Sequence, residues 1–375
     1  MQLNSGILFM IHCEQHTGYA IGKLEVVFKK SAIAAGYEEK NIFFSFSKVF
    51  VPSENIFELG YHDDESREKI KSLIAKHHIR TIVAFDLSYP SKIASAVKQA
   101  GVENLISYWG ASMSGLNSGI KLAFKKIEWL LRRHSAPDFF IFESKAMQLT
   151  ATKGRGIPKS KTTVIPLGVD TEKYKPTELK RKDYVHKKLN IPSNRKIIFY
   201  SGHMEERKGI RVIVKAARYL SETNRLAGIH FVLCGNKGNE ADTYIEEIKH
   251  SAAINHVTFA GYRDDVPLLM QSSDIGVIAS TGWDSFTRSS VEMLASGMPL
   301  IASNLGGLAE TTMPGKTGSL VPPGDYEALA EEVFDILSDA PLLEYYSEQA
   351  RSLAMSDFTE ERQIERLTRV YLAHL

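Results

Sequence analysis

Short apolar runs alternate with helical stretches along the whole chain, and this alternation constrains the fold more than any other feature. Runs of four to six residues, rich in β-branched and aromatic side chains, end at Gly, Pro, Ser or Asp. They are residues 7–11, 41–46, 80–85, 104–108, 139–142, 163–166, 196–201, 230–234, 257–260, 275–279, 299–302 and 318–321. Each run is too short for a helix. Strands that alternate with helices predict an α/β fold of parallel sheets flanked by helices.

The alternating pattern occurs twice, and each occurrence fills about one domain. The 375 residues also exceed what a single hydrophobic core usually supports. Between the two patterns, residues 171–194 are polar and charged and include Pro176 and Pro192. We therefore predict a first domain over residues 1–170, a linker over 171–194 and a second domain over 195–356. The helical stretch 357–375 could belong to either domain.

Composition excludes several classes of protein. The 46 Lys and Arg nearly balance the 44 Asp and Glu, so we do not expect a generic binder of nucleic acid. The apolar runs are far shorter than the roughly 18–20 residues of a membrane span, and we recognise no signal peptide. Cys13 and Cys234 lie far apart in strand-like segments, which argues against a disulfide framework and a zinc site. A reducing, cytoplasmic location is expected.

One region of the first domain is basic although the whole chain is nearly neutral. Residues 105–161 contain ten basic and three acidic residues. Within them, helical spacing puts four apolar side chains on one face, with basic residues around it: Ile120, Phe124, Ile127 and Leu131. A basic amphipathic helix can lie on anionic lipid, which would give weak peripheral contact with a membrane. We favour packing of the apolar face on the first sheet, and the two interpretations are compatible.

The first segment that could carry chemistry follows the run 196–201 and leads into a helix. Its glycine, Gly202, permits close approach of the backbone to a ligand, and Lys208 places a positive charge beside the helix start. Arg207 and His203 can add hydrogen-bond donors, so the segment suits a diphosphate. The alternative is an ordinary strand-to-helix turn with a solvated Arg-Lys pair. The spacing is not that of a P-loop.

A second segment combines two carboxylates with a helix start. Thr287 or Ser289 is a candidate N-cap and Gly297 the residue after the helix, which puts Asp284 in the loop and Glu292 in the helix. The two acids can reach different parts of one ligand, and a glutamate can accept two hydrogen bonds from a diol such as a ribose. The alternative is a structural loop aspartate and a surface glutamate.

Two glycine loops give weaker signals. Gly306-Gly307 follows the run 299–302, and Gly18 follows the first run; both permit a tight turn that a phosphate can approach, although a plain turn explains each. The acidic pairs Asp63-Asp64 and Asp264-Asp265 look like loop or helix-start residues. No motif of a zinc protease, paired CxxC site, serine hydrolase or Walker site is present, so we assign no metal site.

Taken in order, these segments resemble the retaining glycosyltransferases of family GT4. The likeness covers nearly the whole chain and is strongest over residues 163–339. Besides the segments above, it rests on Val164-Ile165-Pro166-Leu167-Gly168-Val169-Asp170, Leu233-Cys234-Gly235, Phe259-Ala260-Gly261, Gly297-Met298-Pro299 and Thr317-Gly318-Ser319-Leu320-Val321. It implies a GT-B fold, in which two Rossmann-like domains face each other across a cleft. The C-terminal helix 357–375 would return to the first domain.

The resemblance also implies site residues. The lysine that stabilises the leaving diphosphate is Lys208, with Arg207 and His203 beside it. Glu292 would hold the ribose and Asp284 the donor sugar. The remaining donor contacts correspond to Gly18 and Gly202 near the phosphates, to Phe286 with the backbone of Thr287 and Arg288 over sugar and phosphates, and to Tyr262 and Arg263 at the base.

Three positions depart from the family pattern. His203 replaces an arginine, Asp284 replaces a glutamate, and Trp109-Gly110 stands where many members have a histidine. The implied reaction is metal-independent transfer from a nucleotide diphosphate sugar, with a UDP-sugar as the expected donor and no further cofactor. The acceptor would be a saccharide, a lipid-linked molecule or a small molecule, in polysaccharide, glycolipid or glycoconjugate synthesis. A sugar-nucleotide epimerase and a catalytically silent nucleotide-binding subunit are the alternatives.

Overall fold

The computed structural model describes residues 4–177 and 183–374, which form two compact units. The first unit consists of the described residues up to Pro166 together with those from Glu360, and the second is Leu167–Thr359. The predicted linker, residues 171–194, lies within the second unit, apart from 178–182, which are outside the described residues. Val185 of this segment is fully buried in a hydrophobic cluster of the second unit.

The first unit is built on a seven-stranded parallel sheet with the order β3-β2-β1-β4-β5-β6-β7. Its strands are β1 (Gly6–Met10), β2 (Ile42–Phe46), β3 (Ile56–Glu58), β4 (Ile79–Phe85), β5 (Asn104–Trp109), β6 (Phe139–Phe142) and β7 (Thr162–Val164). Its helices are α1 (Tyr19–Ala34), α2 (Asp64–Lys76), α3 (Lys92–Gln99), α4 (Gly119–Arg132), α5 (Lys145–Thr152) and the last helix of the chain, α13 (Glu360–Ala373). Strand β3 is a short, half-exposed edge strand that the sequence pattern does not predict.

The second unit repeats this plan with a six-stranded parallel sheet in the order β10-β9-β8-β11-β12-β13. Its strands are β8 (Lys196–Ser201), β9 (Ile229–Cys234), β10 (Val257–Gly261), β11 (Ile275–Ile278), β12 (Leu300–Ser303) and β13 (Gly318–Val321). Its helices are α6 (Tyr184–Leu189), α7 (Ile210–Glu222), α8 (Asp242–Ile245), α9 (Val266–Gln271), α10 (Arg288–Ala295), α11 (Tyr326–Ser338) and α12 (Ala340–Asp357). The prediction of two parallel sheets flanked by helices is confirmed.

Both sheets are buried on both faces, as parallel sheets require. Successive residues of a strand point to opposite faces, so neighbours enter different clusters. In β8, Ile198 and Tyr200 belong to one hydrophobic cluster of the second unit, whereas Ile197 and Phe199 belong to the other. Helices therefore cover each sheet on two sides, and the loops at the strand ends are left to carry polar groups.

The last helix, α13, packs in the first unit. Leu367 and Tyr371 are fully buried in the same cluster as Phe9 and Phe28, and the rings of Phe9 and Tyr371 lie 6.2 Å apart. The Glu360 carboxylate at the start of the helix pairs with the Lys30 ammonium of α1. Apolar packing and this ion pair hold α13 against the first sheet's helices.

Helix α4 contradicts the packing that we favoured from the sequence. Its apolar face does not lie on the sheet: Ile120, Phe124, Ile127 and Leu131 are all more than half exposed. The helix is attached by its opposite side, where Trp129 is its buried residue. The Trp129 ring packs edge-on against Tyr89 at 4.9 Å and against Phe140 at 6.1 Å. This one aromatic anchor sets the rotation of the helix.

Candidate functional site

The loops that follow β8 and β11 meet at the carboxyl edge of the second sheet. These two strands are neighbours, and the strand order reverses between them, which is where open α/β sheets bind ligands. The loops are hydrogen-bonded to each other: the N–H groups of Thr281 and Gly282 donate to the carbonyl of Arg207, at 2.8 and 3.3 Å. The segment predicted to bind phosphates and the segment with Asp284 therefore form one structure.

Two glycines allow this close approach. Gly209 has a φ of 75°, and a Cβ at this position would lie 1.7 Å from the carbonyl oxygen of Ala279 at the end of β11. Gly306 has a φ of 53°, and a Cβ there would lie 2.6 Å from the carbonyl oxygen of Asp284. Any side chain at either position would separate the loops, because both contacts are to backbone atoms.

At the meeting point, Lys208 and Asp284 form an ion pair. The Lys208 Nζ atom lies 2.9 Å from both carboxylate oxygens of Asp284. The side chains are 16% and 5% exposed, so the pair is largely removed from water. Lys208 ends a single 3₁₀ turn and stands two residues before α7, whose start has no side-chain cap. A fixed ammonium and the N-terminus of α7 thus share one small region.

The Asp284 carboxylate has no free acceptor capacity in this arrangement. Its Oδ2 accepts from the Ser280 hydroxyl at 2.6 Å and its Oδ1 from the Ser285 N–H at 3.0 Å, in addition to the two contacts with Lys208. These four hydrogen bonds account for the roughly four lone-pair sites of a carboxylate. Asp284 therefore acts here on Lys208, by fixing its ammonium, and a direct contact with a donor sugar would require one of these bonds to break. No pattern in the sequence marks Ser280 and Ser285 beyond their places in the loop.

Arg207 and His203, the other predicted donors, lie on the exposed part of the same loop. The Arg207 Nε is paired with Glu205 at 2.7 Å, and its Nη1 lies 3.3 Å from the carbonyl of Trp283. The His203 side chain is exposed, and its backbone carbonyl accepts a hydrogen bond of 2.8 Å from the hydroxyl of buried Tyr200. The Arg207 side chain can change partners at little cost, because exposed ion pairs contribute at most about 1 kcal/mol.

The side chains of segment 286–288 have structural roles that the sequence does not predict in full. The Phe286 side chain is buried and packs edge-on against Phe358 at 5.2 Å, so it is not part of a ligand surface. Thr287 is the N-cap of α10 and accepts from the Ser290 N–H at 3.3 Å, as predicted, and Gly297 follows the helix with a φ of 77°.

Arg288 is partly engaged within the second unit. Its Nη1 donates to the carbonyl of Gly168 at 3.2 Å. Among the described residues its buried Nε has no hydrogen-bond partner. Because a buried donor without a partner is costly, this guanidinium can gain from a further acceptor. The sequence-based prediction concerned the backbone of Arg288, whereas the donor without a partner is on its side chain.

The remaining predicted residues of the second unit occupy different environments. Glu292 is buried within α10, which excludes the surface-glutamate alternative. Tyr262 is 62% exposed just after β10, with the Lys237 ammonium 5.2 Å from its ring centre. Arg263 is held by Asp265 in a two-point ion pair of 2.6 and 2.7 Å, so its guanidinium is already engaged.

The two predicted glycines lie in different units. Gly202 follows β8, and its N–H donates to the carbonyl of Cys234 at 3.1 Å, which places it at the same sheet edge as Lys208. Gly18 lies in the first unit, where it precedes α1 with a φ of 97° and open space beside it. Gly18 is the N-cap residue of this 16-residue helix, and it has no side chain that could accept a hydrogen bond from the first turn.

A second group of polar residues, which the sequence patterns do not predict, lies at the edge of the first sheet. Asp86 follows β4 and accepts a hydrogen bond of 2.9 Å from the Gly110 N–H. Burial raises the pKa of Asp86 to about 6. His12 follows β1; its ring stacks on Phe85 at 5.4 Å, and a hydrogen bond with Cys13 raises the pKa of its imidazole despite partial burial. Both groups come directly after strand ends, which was the available signal.

Comparison with known families bears on the second unit. Residues 181–353 match the model of the family "Glycosyl transferases group 1". The matched segment lies within the second unit. Curated relatives of this chain include D-inositol 3-phosphate glycosyltransferase of Corynebacterium urealyticum, with 28% identity over 54% of this chain and 49% of the relative. Spore coat protein SA of Bacillus subtilis is 30% identical over 57% of this chain and 59% of the relative. The chain thus spans about half the length of the curated relatives it matches.

Solved structures with the same fold extend over the whole chain. A glycosyltransferase from Rickettsia africae covers 99% of both chains with a TM-score of 0.82 and 19% identity. Anabaena Alr3699/HepE in complex with UDP covers 98% of this chain and 100% of its own, with a TM-score of 0.78 and 19% identity. At this identity the likeness concerns the fold alone, and it confirms the predicted GT-B class with two Rossmann-like domains.

Residues 4–177 and 183–374 contain no group of three or more His, Cys, Asp or Glu side chains arranged to hold a metal ion. Within the same ranges, every helix is too short or too polar to cross a bilayer.

Proposed function

We propose that this chain is a glycosyltransferase that moves a sugar from a nucleotide diphosphate sugar to an acceptor with retention at the anomeric carbon. The observation that carries the proposal is the Lys208 ammonium, fixed by Asp284 where two strand-end loops meet beside the start of α7. A preorganised cation at a helix N-terminus is suited to the charge that develops on a departing diphosphate. The match to the group 1 family model and the names of the relatives support the same reaction.

In the proposed step, the bond between the anomeric carbon and the diphosphate oxygen breaks, and its electron pair stays with the phosphate. The acceptor hydroxyl attacks from the same face, and its proton passes to the leaving phosphate oxygen. Lys208 would stabilise the new negative charge, with Arg207 and His203 adding donors from the loop surface. The proposal assigns no role to a metal ion or to a further cofactor.

For the donor we propose a UDP-sugar. Structures of Anabaena Alr3699/HepE, which has the same fold, contain UDP and UDP-glucose. Glu292, buried in α10, is the proposed ribose ligand. The exposed ring of Tyr262 would pack on the base, whereas Arg263 would only border it, because Asp265 holds its guanidinium. Within the described residues the Nε of Arg288 has no hydrogen-bond partner, so we propose that it binds a donor phosphate.

Asp284 takes a different proposed role from the one that the family pattern implies. Because its four acceptor sites are used by Lys208, Ser280 and Ser285, we propose that it positions Lys208 in the free enzyme. The ammonium has three protons, so Lys208 can contact a phosphate oxygen while it keeps both bonds to Asp284. The acid would then prevent the lysine from following the leaving group.

We also propose a class of acceptor and a cellular location. A saccharide, a lipid-linked molecule or a small molecule would be the acceptor, within polysaccharide, glycolipid or glycoconjugate synthesis. The cytoplasm is the proposed location, supported by a sequence with only two cysteines, far apart, neither of which is paired in the structure.

A ligand screen tests the proposal directly. Thermal unfolding is followed with UDP-, GDP-, ADP- and TDP-sugars, where a ligand at about a hundredfold excess over its Kd adds about 2.7 kcal/mol of stability. The stabilising donor is then incubated with and without candidate acceptors, and release of nucleotide diphosphate is measured. Acceptor-dependent release is expected. A changed sugar without an acceptor would identify an epimerase, and binding without any turnover a silent homologue.

A further inference from the structure

The outer face of α4 is apolar and exposed over its whole length. It is formed by Leu116, just before the helix, and by Ile120, Phe124, Ile127, Leu130 and Leu131. These six side chains are between 51% and 74% exposed. A 14-residue helix is about 21 Å long, so the outer α4 face is a continuous patch and not a set of scattered single residues. Such a patch marks a contact with another surface.

Basic residues border this face on both sides. At about 100° per residue, Lys121, Lys125 and Arg132 fall on one flank of the outer α4 face, and Lys126 and Arg133 on the other. The single acid of the helix, Glu128, is engaged by Lys125 at 2.7 Å and by Arg132 at 3.7 Å.

The helix presents this face in a fixed orientation. Trp129, on the opposite side, is anchored against Tyr89. The chain at Gly156 approaches so closely that a Cβ there would lie 2.6 Å from the backbone of Lys125 and Lys126. Asn117 ties the preceding loop to the carbonyl of Gly154 at 2.7 Å. Because the helix is already formed and held, binding through its outer face requires no folding step.

We propose that the outer α4 face docks the protein on an anionic lipid bilayer. The apolar side chains would enter the boundary between headgroups and acyl chains, and the two basic flanks would meet anionic headgroups. A second copy of this chain fits less well, because a two-fold contact through the same face would bring the basic flanks of the two copies together. The proposal goes beyond the transfer reaction and does not depend on it.

Co-sedimentation with vesicles tests the docking surface. The full chain is mixed with vesicles of phosphatidylcholine alone or with about one third phosphatidylglycerol, at about 0.05 and 0.5 M salt. We expect binding to the anionic vesicles to be at least about tenfold stronger and to weaken with salt, since each basic residue near the surface contributes roughly fivefold. Equal binding to both vesicles, or to neither, would overturn the proposal.

Matched variants separate the face from the protein as a whole. Phe124→Ser with Leu131→Ser should lower binding to anionic vesicles by about tenfold or more, because two inserted side chains are lost. Val26→Ser with Ile33→Ser, at the same seven-residue spacing on the exposed side of α1, should leave it unchanged. All four side chains are substantially exposed, so the thermal midpoint of both variants should match the wild type. Unchanged binding in the first variant, or equal losses in both, would contradict the assignment.

A charge variant and a measurement without lipid complete the test. Lys126→Glu with Arg133→Glu should reduce anionic binding by at least about tenfold, whereas Lys188→Glu with Lys316→Glu, which changes the net charge equally in the second unit, should reduce it less. Sedimentation velocity without vesicles should show the same species for wild type and the Phe124/Leu131 variant. A wild-type dimer that this variant dissociates would assign the face to a second copy and overturn the lipid proposal.

Discussion

The two units place an acid and a base at equivalent points of the same topology, yet with different electrostatic character. In the second unit, Lys208 follows β8 and Asp284 follows β11; in the first, His12 follows β1 and Asp86 follows β4. Lys208 and Asp284 form a direct, largely buried ion pair. His12 is exposed, and the pKa of Asp86 is raised to about 6 by burial. One edge therefore has a fixed cation, and the other has groups that change charge near neutral pH.

This difference suits different tasks. A departing diphosphate is charged throughout the physiological pH range and requires a cation of constant charge. The edge of the first sheet, by contrast, presents a carboxyl whose pKa is about 6 and an imidazole whose pKa is raised above its ordinary value, and such groups suit hydrogen bonding to neutral hydroxyl groups. The same backbone arrangement thus produces two chemistries, and the side chains that follow the central strands decide which one.

The largest effect should come from removal of the fixed cation. Lys208→Ala should lower kcat by roughly 10²–10³, the usual loss for one such stabilising group. It also leaves the buried Asp284 carboxylate uncompensated, which should reduce the free energy of unfolding by roughly 3–5 kcal/mol. Steady-state nucleotide release and denaturant titration measure the two effects. His12→Ala, which removes an exposed side chain at the equivalent point, should cost far less stability.

A double variant separates the two consequences for Lys208. Lys208→Ala with Asp284→Asn removes the stranded charge, so most of the lost stability should return while turnover stays low. Recovery of turnover together with stability would show that Lys208 acts only in folding. Wild-type turnover in Lys208→Ala alone would end its catalytic assignment.

Replacement of Glu292 and replacement of Asp284 should have different kinds of effect. Glu292→Gln should weaken the binding of nucleotide diphosphate and of the complete donor alike, by roughly 10–150-fold, because a charge-assisted hydrogen bond is worth about 1.5–3 kcal/mol. Asp284→Asn should change the binding of either ligand little, because Lys208 keeps its charge, but should lower kcat, because the ammonium loses the carboxylate that positions it. Calorimetric titration of both variants with both ligands distinguishes them. If Asp284→Asn weakens the bare nucleotide as much as Glu292→Gln does, this division is wrong.

The two units also differ in how far the sequence predicts them. Strand positions follow from apolar runs bounded by turn residues, so the sequence predicts twelve of the thirteen strands found in the described residues. Strand β3 was missed because an edge strand of three half-exposed residues buries too little to leave a pattern. Partners distant in sequence are not predictable in this way: nothing near Asp284 indicates that Lys208, 76 positions earlier, uses both of its oxygens.

Helix α4 and Phe286 both show that the sequence does not predict tertiary partners, the first for an exposed apolar face and the second for a buried ring. The spacing of Ile120, Phe124 and Ile127 establishes that one face of α4 is apolar, but not what covers it; Trp129, on the other side, decides the orientation. Phe286 stands in a loop that resembles a ligand-binding segment, yet its ring packs on Phe358, more than 70 positions away. Periodicity predicts faces, whereas their partners depend on tertiary contacts.

Asp86, at the edge of the first sheet, should make the free energy of unfolding depend on pH. Because the folded pKa of Asp86, about 6, exceeds the ordinary value of 3.8, the folded protein holds this proton to higher pH than the unfolded chain. Its contribution is fully present below about pH 4 and is lost as the pH rises through 6, by roughly 2–3 kcal/mol. Asp86→Asn keeps the acceptor for Gly110 and should be more stable than wild type at pH 7, but not at pH 4. Denaturant unfolding at both pH values measures this, and an equal difference at the two would exclude the shift.

The smallest expected effect concerns His203, whose imidazole is exposed on the loop before Lys208, while Tyr200 holds its backbone. A contact between this exposed side chain and a donor phosphate should contribute at most about 1 kcal/mol, which limits the change in donor affinity to roughly fivefold. His203→Ala should therefore weaken donor binding by no more than about fivefold, whereas His203→Arg, which restores the residue of the family pattern, should bind the donor at least as tightly as the wild type. Calorimetric titration of the donor compares the three proteins, and equal affinity in all of them would remove His203 from the site.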